Sequence, residues 1–359
     1  MTHLLVALTA HGFGHVAQTA PVINALRQRI PKLRLTLYTA LPHGFLANRF
    51  DGEFALIPRP TDVGMAMKNA LEVDGAASAL AYQHYHRDWQ QMLAEEVRLL
   101  NSHSPDAVLA NVPYGILAAA AKTGIPAAAM CSLNWADIYR HFCGTLPGAA
   151  AIHQQMLDAY RSARVFLQPA PGMPMSDLDN RIAIGPIARL GNDRRGEIRR
   201  RLNLADTARL IMVSLGGVPT RMDLNAWPLL PNVHWIVPAA WDPQRPDTIA
   251  FEALAMDFVD VLRSADALIT KPGYGNFVEA ACNGVPVLYA PRHDWPEEAC
   301  LVEWLRRFGR CRAIDREQLQ RGNFAAALQE LFALPPRAPV APAGIEEAAT
   351  YLSALLNRA

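Results

Sequence analysis

The sequence predicts an α/β fold of two facing Rossmann-like domains, each with a doubly wound parallel sheet, and a cleft between them. Three observations lead to this prediction. Short apolar runs alternate with segments of helical periodicity along most of the chain. Glycine-containing loops follow two of these runs, at 10–15 and 271–276. The chain has 359 residues, which is too long for one ordinary core and fits about two domains.

The first alternating block starts at the N-terminus. The apolar run 3–9 predicts a central strand, the loop 10–15 follows it, and a helix then extends to Pro31. One long helix is predicted at 76–101, and 131–148 is predicted to be irregular. Further strands are predicted at 33–39, 53–57, 107–110, 127–130 and 165–168.

The second block follows a stretch dense in Pro, Gly and Asp at 169–196, which is the predicted linker. We predict domains at 1–185 and 186–340, and a terminal helix within 341–359 that packs back on the first domain. Because ligands bind at the carboxyl ends of parallel strands, the loops after these strands are expected to line the cleft. The predicted elements are strands at 209–215, 233–237, 265–270 and 285–290, and helices at 296–308, 316–333 and 345–357.

Composition excludes several classes of protein. Lys and Arg number 34 against 33 Asp and Glu, so the chain lacks the basic surface that a nucleic-acid partner requires. Five cysteines without a Cys-x-x-Cys pair predict reduced core thiols and no structural zinc. No apolar run approaches ~18 residues and no signal peptide is recognised, so we expect a cytoplasmic protein without a transmembrane segment.

The second glycine loop has the composition of an anion-binding site. Gly273 and Gly275 require a loop with unusual backbone angles, and Lys271 adds a positive charge. Asn276 is expected to cap the following helix, with Glu279 at its third position as in a capping box. A helix N-terminus beside a lysine suits a diphosphate group.

The first glycine loop carries two histidines, His11 and His15. Histidine titrates near neutral pH and can take a proton from an attacking hydroxyl group or water. We therefore name His15 as the first candidate base and His11 as the second, with a helix-capping role as the structural alternative for His15. As a dinucleotide fingerprint the loop fails, because the third glycine is missing.

Two motifs resemble those of known proteins. The stretch Thr270-Lys-Pro-Gly-Tyr-Gly-Asn-Phe-Val-Glu279, followed by Gly284-Val-Pro-Val, resembles the donor-binding signature of GT-B nucleotide-sugar glycosyltransferases. It is most similar to the glycosyltransferase-like half of L-arabinokinase-type proteins, in which an Arg-…-Glu-Glu segment also recurs, as at Arg292 and Glu297-Glu298. The segment Gly14-His15-Val-Ala-Gln18 resembles the Gly-His-x-x-Pro of many such transferases, with glutamine in place of proline.

The resemblance implies a role for each matching residue. His15, or else His11, would be the catalytic base of an acceptor domain at 1–185. Relatives often orient this base with an aspartate, but here the strand ends in Asn111, and Asp137 replaces it only if its loop folds inward. In the donor domain, 186–340, the implied contacts are Gly216, Gly217, Thr220, Lys271, Gly273, Gly275 and Asn276 at the diphosphate, Glu279 at the ribose, Glu297 and Glu298 at the sugar, and Phe258 at the nucleobase.

The implied activity is transfer of a sugar from a nucleoside diphosphate sugar, a UDP-sugar first among them, to a small-molecule or glycan acceptor. We expect inversion and no metal or other cofactor, since a helix N-terminus together with Lys271 can stabilise the leaving diphosphate. Two alternatives stay open: a nucleotide-sugar hydrolase that uses the same histidine, and a binding protein without catalysis. The aromatic residues His84, His86, Trp89 and Trp135 line an acceptor pocket in one interpretation and are core or surface residues in the other.

Overall fold

The computed structural model describes residues 2–69, 72–216, 222–242, 244–292 and 294–357. The chain divides into two compact units, which are Met1–Ile187 with Ala343–Ala359, and Ala188–Pro342. No helix in the described part of the chain has the length and apolar character that crossing a bilayer requires.

The first unit is built on a seven-stranded sheet in which every neighbouring pair is parallel. The order is β3-β2-β1-β6-β7-β8-β9, while β4 and β5 form a separate antiparallel pair. The strands are β1 (His3–Leu8), β2 (Arg34–Tyr38), β3 (Ala55–Ile57), β4 (Met67–Asn69), β5 (Glu72–Val73), β6 (Ala107–Asn111), β7 (Ala127–Met130), β8 (Val165–Pro169) and β9 (Arg181–Ile184).

Helices of the first unit connect and cover these strands. Every residue of β1 is buried, because a central parallel strand is covered on both faces. The helices are α1 (Gly14–Arg29), α2 (His43–Ala47), α3 (Gly75–Arg87), α4 (Trp89–His103), α5 (Gly115–Thr123), α6 (Trp135–Cys143) and α7 (Ala149–Arg161).

The second unit contains a six-stranded parallel sheet in the order β12-β11-β10-β13-β14-β15. Its strands are β10 (Arg209–Ser214), β11 (Val233–Val237), β12 (Thr248–Ala250), β13 (Ala267–Thr270), β14 (Val287–Tyr289) and β15 (Cys311–Ala313). The remaining helices of the chain are α8 (Arg195–Arg201), α9 (Phe258–Ser264), α10 (Tyr274–Cys282), α11 (Glu298–Phe308), α12 (Arg316–Arg321), α13 (Ala325–Ala333) and α14 (Gly344–Leu356).

Both sheets reverse their strand order at one point. In the first sheet this switch point lies between β1 and β6, and in the second between β10 and β13. The strand orders therefore confirm the predicted doubly wound architecture. In such sheets ligands bind outside the carboxyl ends of the strands at the switch point.

The terminal helix α14 belongs to the first unit, where it packs against α1. Leu352 is fully buried in the same hydrophobic cluster as Ile23 of α1. Arg29 of α1 donates a hydrogen bond to Thr350 at 2.7 Å and forms an ion pair with Glu346. Both apolar and polar contacts thus attach the end of the chain to the first sheet.

Two predicted segments are wrong in the first unit, where the chain forms additional helices. The helix predicted at 76–101 is two helices, since the chain turns at Asp88 and α3 then packs on α6 while α4 packs on α5. The segment predicted to be irregular at 131–148 contains α6, whose first turn is capped by Asn134, which accepts from the Asp137 N–H at 2.8 Å.

Two further predictions fail at segments rich in glycine or proline. The predicted linker at 169–196 contains β9, a half-exposed edge strand of only four residues that pairs with β8. The helix predicted at 316–333 is divided by Gly322, whose φ of 68° places it in the left-handed region that ends α12. The short strands β12 and β15 were not predicted.

Replacing Leu352 with alanine is expected to lower the free energy of unfolding of the first unit by about 2–5 kcal/mol, because it leaves a cavity between α14 and α1. Denaturant unfolding of the purified protein measures this change. The neighbouring Tyr351 is 40% exposed, so Tyr351→Ala is the matched control and should change the free energy by less than about 0.5 kcal/mol. Equal effects of the two substitutions would contradict the packing of α14.

Candidate functional site

His15 lies in a polar network at the switch point of the first sheet, where Leu8 of β1 pairs with Asn111 of β6. Its Nδ1 contacts the Asn111 side-chain oxygen at 2.9 Å. The Asn111 amide nitrogen donates to the Thr19 hydroxyl at 2.9 Å and to the Gln18 side-chain oxygen at 3.3 Å. Gln18 and Asn111, the two departures from the transferase pattern, therefore bind each other beside the histidine.

This network decides which nitrogen of His15 carries the proton. The Asn111 amide nitrogen faces oxygen atoms, so the amide oxygen faces the ring. A carbonyl oxygen only accepts, and His15 Nδ1 must therefore be the donor. In the neutral imidazole this leaves a lone pair on Nε2. His15 thus has the tautomer that a general base needs.

Burial of His15 lowers its pKa from 6.5 to about 4, and the hydrogen bond to Asn111 opposes the shift only in part. The expected pKa near working pH is therefore not found, because a neutral amide stabilises an imidazolium less than a carboxylate does. The helix-capping alternative is also wrong. Helix α1 begins at Gly14 without a side-chain cap, and the His15 ring points to Asn111 instead.

His11 has a different environment from His15. Its ring lies edge-on to Trp135, with 5.1 Å between ring centroids. Its Nδ1 accepts from the Met65 N–H at 3.5 Å, the outer limit of a hydrogen bond, which favours a proton on Nε2 in the neutral form. Gly12, between the two histidines, has a φ of 135° that only glycine adopts readily. In their neutral forms, His15 therefore has an acceptor at Nε2 and His11 has a donor at Nε2.

Asp62 is a half-buried carboxylate of this region that sequence reasoning missed. It accepts from the Thr9 hydroxyl and from the Trp135 indole N–H, both at 2.7 Å. Burial raises the pKa of Asp62 to about 6, although these two hydrogen bonds lower it. Thr61 donates to the Leu8 carbonyl at 2.8 Å and so anchors the segment at the end of β1. No local pattern marks Asp62, because its partners are 53 and 73 residues away.

Asp137 does not replace the missing acid of His15. Its carboxylate binds the Asn134 side chain at 2.8 Å and Arg140 at 2.9 Å. Ligand atoms of Asp137, His153 and Asp177 lie within 4.8 Å of one another, the spacing of a metal site. Arg140 also pairs with Asp177 at 2.6 Å, however, so its guanidinium already supplies the positive charge there.

The other aromatic residues considered for an acceptor pocket have structural contacts. His86 and Trp89 are buried and stacked, with 5.2 Å between ring centroids, and His86 also contacts the Tyr114 hydroxyl at 2.8 Å. His84 is exposed and contacts Arg87 at 2.7 Å. Trp135 alone belongs to the candidate site, through its bond to Asp62.

In the second unit, Asn276 fixes the start of α10 at the switch point of the sheet, where Ser214 pairs with Thr270. Its amide nitrogen donates to the Thr270 hydroxyl at 2.7 Å and to the Ser214 carbonyl at 3.0 Å. The predicted helix cap at Asn276 is wrong, since α10 begins at Tyr274, directly after the extended Gly273, and Asn276 is the third residue of the helix. Glu279 is the sixth helical residue, so the predicted capping box is absent.

Lys271 lies in the loop between β13 and α10, next to the loop that follows β10. A side chain at Gly216, whose φ is 82°, would come within 3.6 Å of the Lys271 Cε atom. Gly275 lies in the first turn of α10, where helix N–H groups have no carbonyl acceptor inside the helix. The structure thus brings Gly216, Lys271 and the start of α10 together, while Gly217 and Thr220 lie outside the described residues.

Two cations approach each other in this loop region. Burial and the nearby charge of Arg292 lower the pKa of Lys271 to about 7. Burial also lowers the pKa of Arg292, against the charges of Glu297 and Glu298. The Arg292 Nε atom is buried and has no hydrogen-bond partner among the described residues. A bound anion would stabilise both cations.

The remaining predicted donor residues fall into two groups. Glu297 accepts from the Trp295 indole N–H at 3.3 Å, and Glu298 accepts from the Arg292 backbone N–H at 2.9 Å, so both lie close to Arg292. Glu279 is a buried carboxylate within α10. Phe258 begins α9 and packs half-buried on the core beside Phe251, a contact that accounts for its position without a ligand.

The opposite pKa shifts of His15 and Asp62 predict compensation in the pH dependence of stability. Between pH 6.5 and about 4 the unfolded chain binds more protons at His15, so this residue makes stability fall on acidification. Between pH about 6 and 3.8 the folded protein binds more protons at Asp62, so this residue makes stability rise on acidification. In Asp62→Asn the free energy of unfolding should therefore fall on acidification with the slope that His15 causes, approaching about 1.4 kcal/mol per pH unit.

Denaturant unfolding of wild type and Asp62→Asn across this pH range measures the slopes. Adding His15→Gln to Asp62→Asn should flatten the profile again, because the titrating ring is then absent. Identical profiles for wild type and Asp62→Asn would contradict the compensation.

No model of a protein family matches the chain. The sequence is similar to L-arabinokinase of Arabidopsis thaliana, with 26% identity over 347 residues, which cover 93% of this chain and 32% of that protein. The chain thus spans about a third of that relative's length. It is also similar to the uncharacterized glycosyltransferase MK0977 of Methanopyrus kandleri, with 21% identity over 251 residues, or 65% of this chain and 70% of that protein.

Solved structures share the fold at low sequence identity. The calicheamicin glycosyltransferase CalG4 matches with a TM-score of 0.65 and 18% identity, over 100% of this chain and 99% of that one. UDP-GlcNAc 2-epimerase from Neisseria meningitidis, bound to UDP-GlcNAc, matches with a TM-score of 0.58 and 14% identity, over 100% of both chains. Together with the strand orders, these similarities confirm the prediction that the chain has the two-domain GT-B fold of glycosyltransferases.

Proposed function

We propose that this protein binds a nucleoside diphosphate sugar through the Lys271 loop and transfers the sugar to an acceptor hydroxyl group, with His15 as the base. The observation that carries this proposal is that two positive charges, Lys271 and Arg292, lie close to each other near the first turn of α10. Two partly buried cations next to a helix N-terminus are well suited to binding an anion.

The charges of the donor site fit a diphosphate better than a neutral sugar. The start of α10 offers backbone N–H groups, and Asn276 fixes that turn to two strand ends. Lys271 and Arg292 supply the positive charge that a leaving diphosphate needs. In this proposal a metal ion is not required for the leaving group, and Glu297 and Glu298 bind hydroxyl groups of the sugar. Glu279 binds the ribose.

The proposed reaction is a single displacement at the anomeric carbon. His15 Nε2 takes the proton from the acceptor hydroxyl group as its oxygen bonds to that carbon. The bond to the diphosphate oxygen breaks, and its electron pair leaves with the nucleoside diphosphate, so the configuration inverts. Asn111 holds the required tautomer through Nδ1. Because the pKa of His15 is about 4, proton transfer is expected late in the displacement.

A nucleotide-sugar hydrolase is the second candidate. Asn111 instead favours a third candidate, a binding protein without catalysis, because the usual acid partner of the histidine is replaced by a neutral amide. The similarity to UDP-GlcNAc 2-epimerase also shows that the fold accommodates chemistry other than transfer. In the hydrolase the same Nε2 atom would activate water.

One assay separates these functions. The protein is incubated with UDP-, dTDP- and GDP-sugars, with and without cell extract, and nucleoside diphosphate release is followed. Release that requires extract supports a transferase, and release in buffer alone supports the hydrolase. Donor binding without release under any condition would overturn both enzymatic functions and leave the binding protein.

His15→Ala is expected to abolish turnover and to leave donor affinity within about twofold, because His15 contacts the reacting hydroxyl group and not the diphosphate. Steady-state rates and calorimetric titration with the donor measure the two effects. His11→Ala is the matched control on the same loop and should retain more activity, since its neutral form favours a proton on Nε2. An unchanged rate in His15→Ala would refute the assignment.

Lys271→Met is expected to weaken nucleoside diphosphate binding by about 1–3 kcal/mol, through loss of one charged hydrogen bond. Since the pKa of Lys271 without a bound ligand is about 7 and a bound diphosphate raises this pKa, wild-type affinity should fall as pH rises above neutral. Binding near neutral pH should take up a proton, which titration calorimetry in buffers of different ionisation enthalpy detects.

The exposed Lys122 provides the control for this experiment. Lys122→Met should bind the nucleotide as wild type does, with the same proton uptake. Proton uptake that persists in Lys271→Met would show that another group is responsible.

A further inference from the structure

A cavity of about 280 Å³ opens in the second unit at the amino ends of its parallel strands. Arg209 begins β10, Asp266 directly precedes β13, and Arg310 directly precedes β15. Lys271 and the first turn of α10 lie at the carboxyl ends of the same strands. The cavity is therefore at the opposite edge of the sheet from the proposed donor loop, and its charged lining is Asp193, Arg195, Arg209, Arg263, Asp266 and Arg310.

Backbone carbonyl groups hold three of these guanidinium groups. Arg195 Nε donates to the Ser264 carbonyl at 2.9 Å, and Arg310 Nη2 donates to the Gly284 carbonyl at 3.4 Å. Arg263 donates to the Asn283 carbonyl. Carbonyl groups orient a guanidinium without neutralising it, so these contacts fix the positions of the charges and leave them in place.

The carboxylates of the cavity compensate only part of this charge. Asp266 pairs with Arg209 at 3.4 Å and with Arg195 at 3.6 Å, and it also accepts from the Leu210 N–H at 2.8 Å. Four arginines and two aspartates line the cavity, so its lining has a net charge of +2 at neutral pH. Burial lowers the pKa of Arg310, and no carboxylate opposes this shift. The lining therefore has two positive charges more than its carboxylates compensate.

We propose that this cavity is a binding site for a phosphate group, either as inorganic phosphate or as the monoester of a small molecule. A phosphate dianion supplies the two missing charges, and its oxygens match the planar donor pairs of arginine. The pre-oriented guanidinium groups reduce the entropy lost on binding. The site is at the other edge of the sheet and shares no lining residue with the Lys271 loop.

Titration with inorganic phosphate at constant ionic strength, followed by calorimetry, tests the site. The wild type should show saturable binding, and Arg310→Gln should weaken it about tenfold, because one of the two uncompensated charges is lost. Arg310→Lys, which keeps the charge but not the planar fork, should lie between the two. Arg321→Gln, at a 74% exposed arginine, is the control and should bind as wild type does.

Two further variants keep the result unambiguous. Arg263→Gln should weaken binding like Arg310→Gln, and circular dichroism of both should show the folded state. Lys271→Met removes the cation at the carboxyl edge of the sheet that could also bind phosphate. This variant should bind phosphate at the cavity as wild type does. Loss of binding in Lys271→Met with retention in Arg310→Gln, or no saturable binding in wild type, would overturn the proposal. Phosphoserine in place of inorganic phosphate distinguishes a monoester preference, seen as tighter binding in wild type and weaker binding in Arg310→Gln.

Discussion

An asparagine amide at the switch point of each sheet joins a helix to the ends of the strands, and the candidate site of each unit depends on this contact. Asn111 projects from the end of β6 to the first turns of α1, where it binds His15, Gln18 and Thr19. Asn276 projects from the first turn of α10 to the ends of β10 and β13. A primary amide suits this position because it donates and accepts without adding charge to a buried place.

The neutrality of Asn111 has a chemical consequence. An aspartate in its place would hold the same His15 tautomer and also stabilise the protonated ring. The amide provides only the tautomer, and burial then lowers the pKa of the ring to about 4. The carboxylate of this region, Asp62, instead binds Thr9 and Trp135. Asn111 thus orients the His15 ring without the charge stabilisation that a carboxylate would add.

The second unit has cationic groups at both edges of one sheet, but they are held in different ways. At the carboxyl edge, Lys271 and Arg292 lie beside a helix N-terminus and close to two glutamates. At the amino edge, backbone carbonyl groups orient arginines around a cavity. A lysine with a pKa of about 7 changes its charge near neutral pH, whereas an arginine keeps its charge. The two edges therefore differ in how their anion affinity responds to pH.

The sequence by itself determined the elements whose signal is local. The buried strands β1, β10 and β13 are continuous apolar runs, and the lysine and glycines after β13 indicate an anion loop because their backbone freedom and charge need no partner. It failed where a single turn of the chain decides a boundary, as at Asp88 and Gly322, and where an edge strand such as β9 has only four residues.

Only the tertiary structure decided the chemistry of the candidate sites. His15 and Asn111 are 96 residues apart, and Asp62 reaches its partners across 53 and 73 residues, so no spacing rule connects them. The arginine cavity likewise gathers residues that precede three different strands. Burial, which sets the pKa of His15, Asp62 and Lys271, exists only once these distant segments pack together.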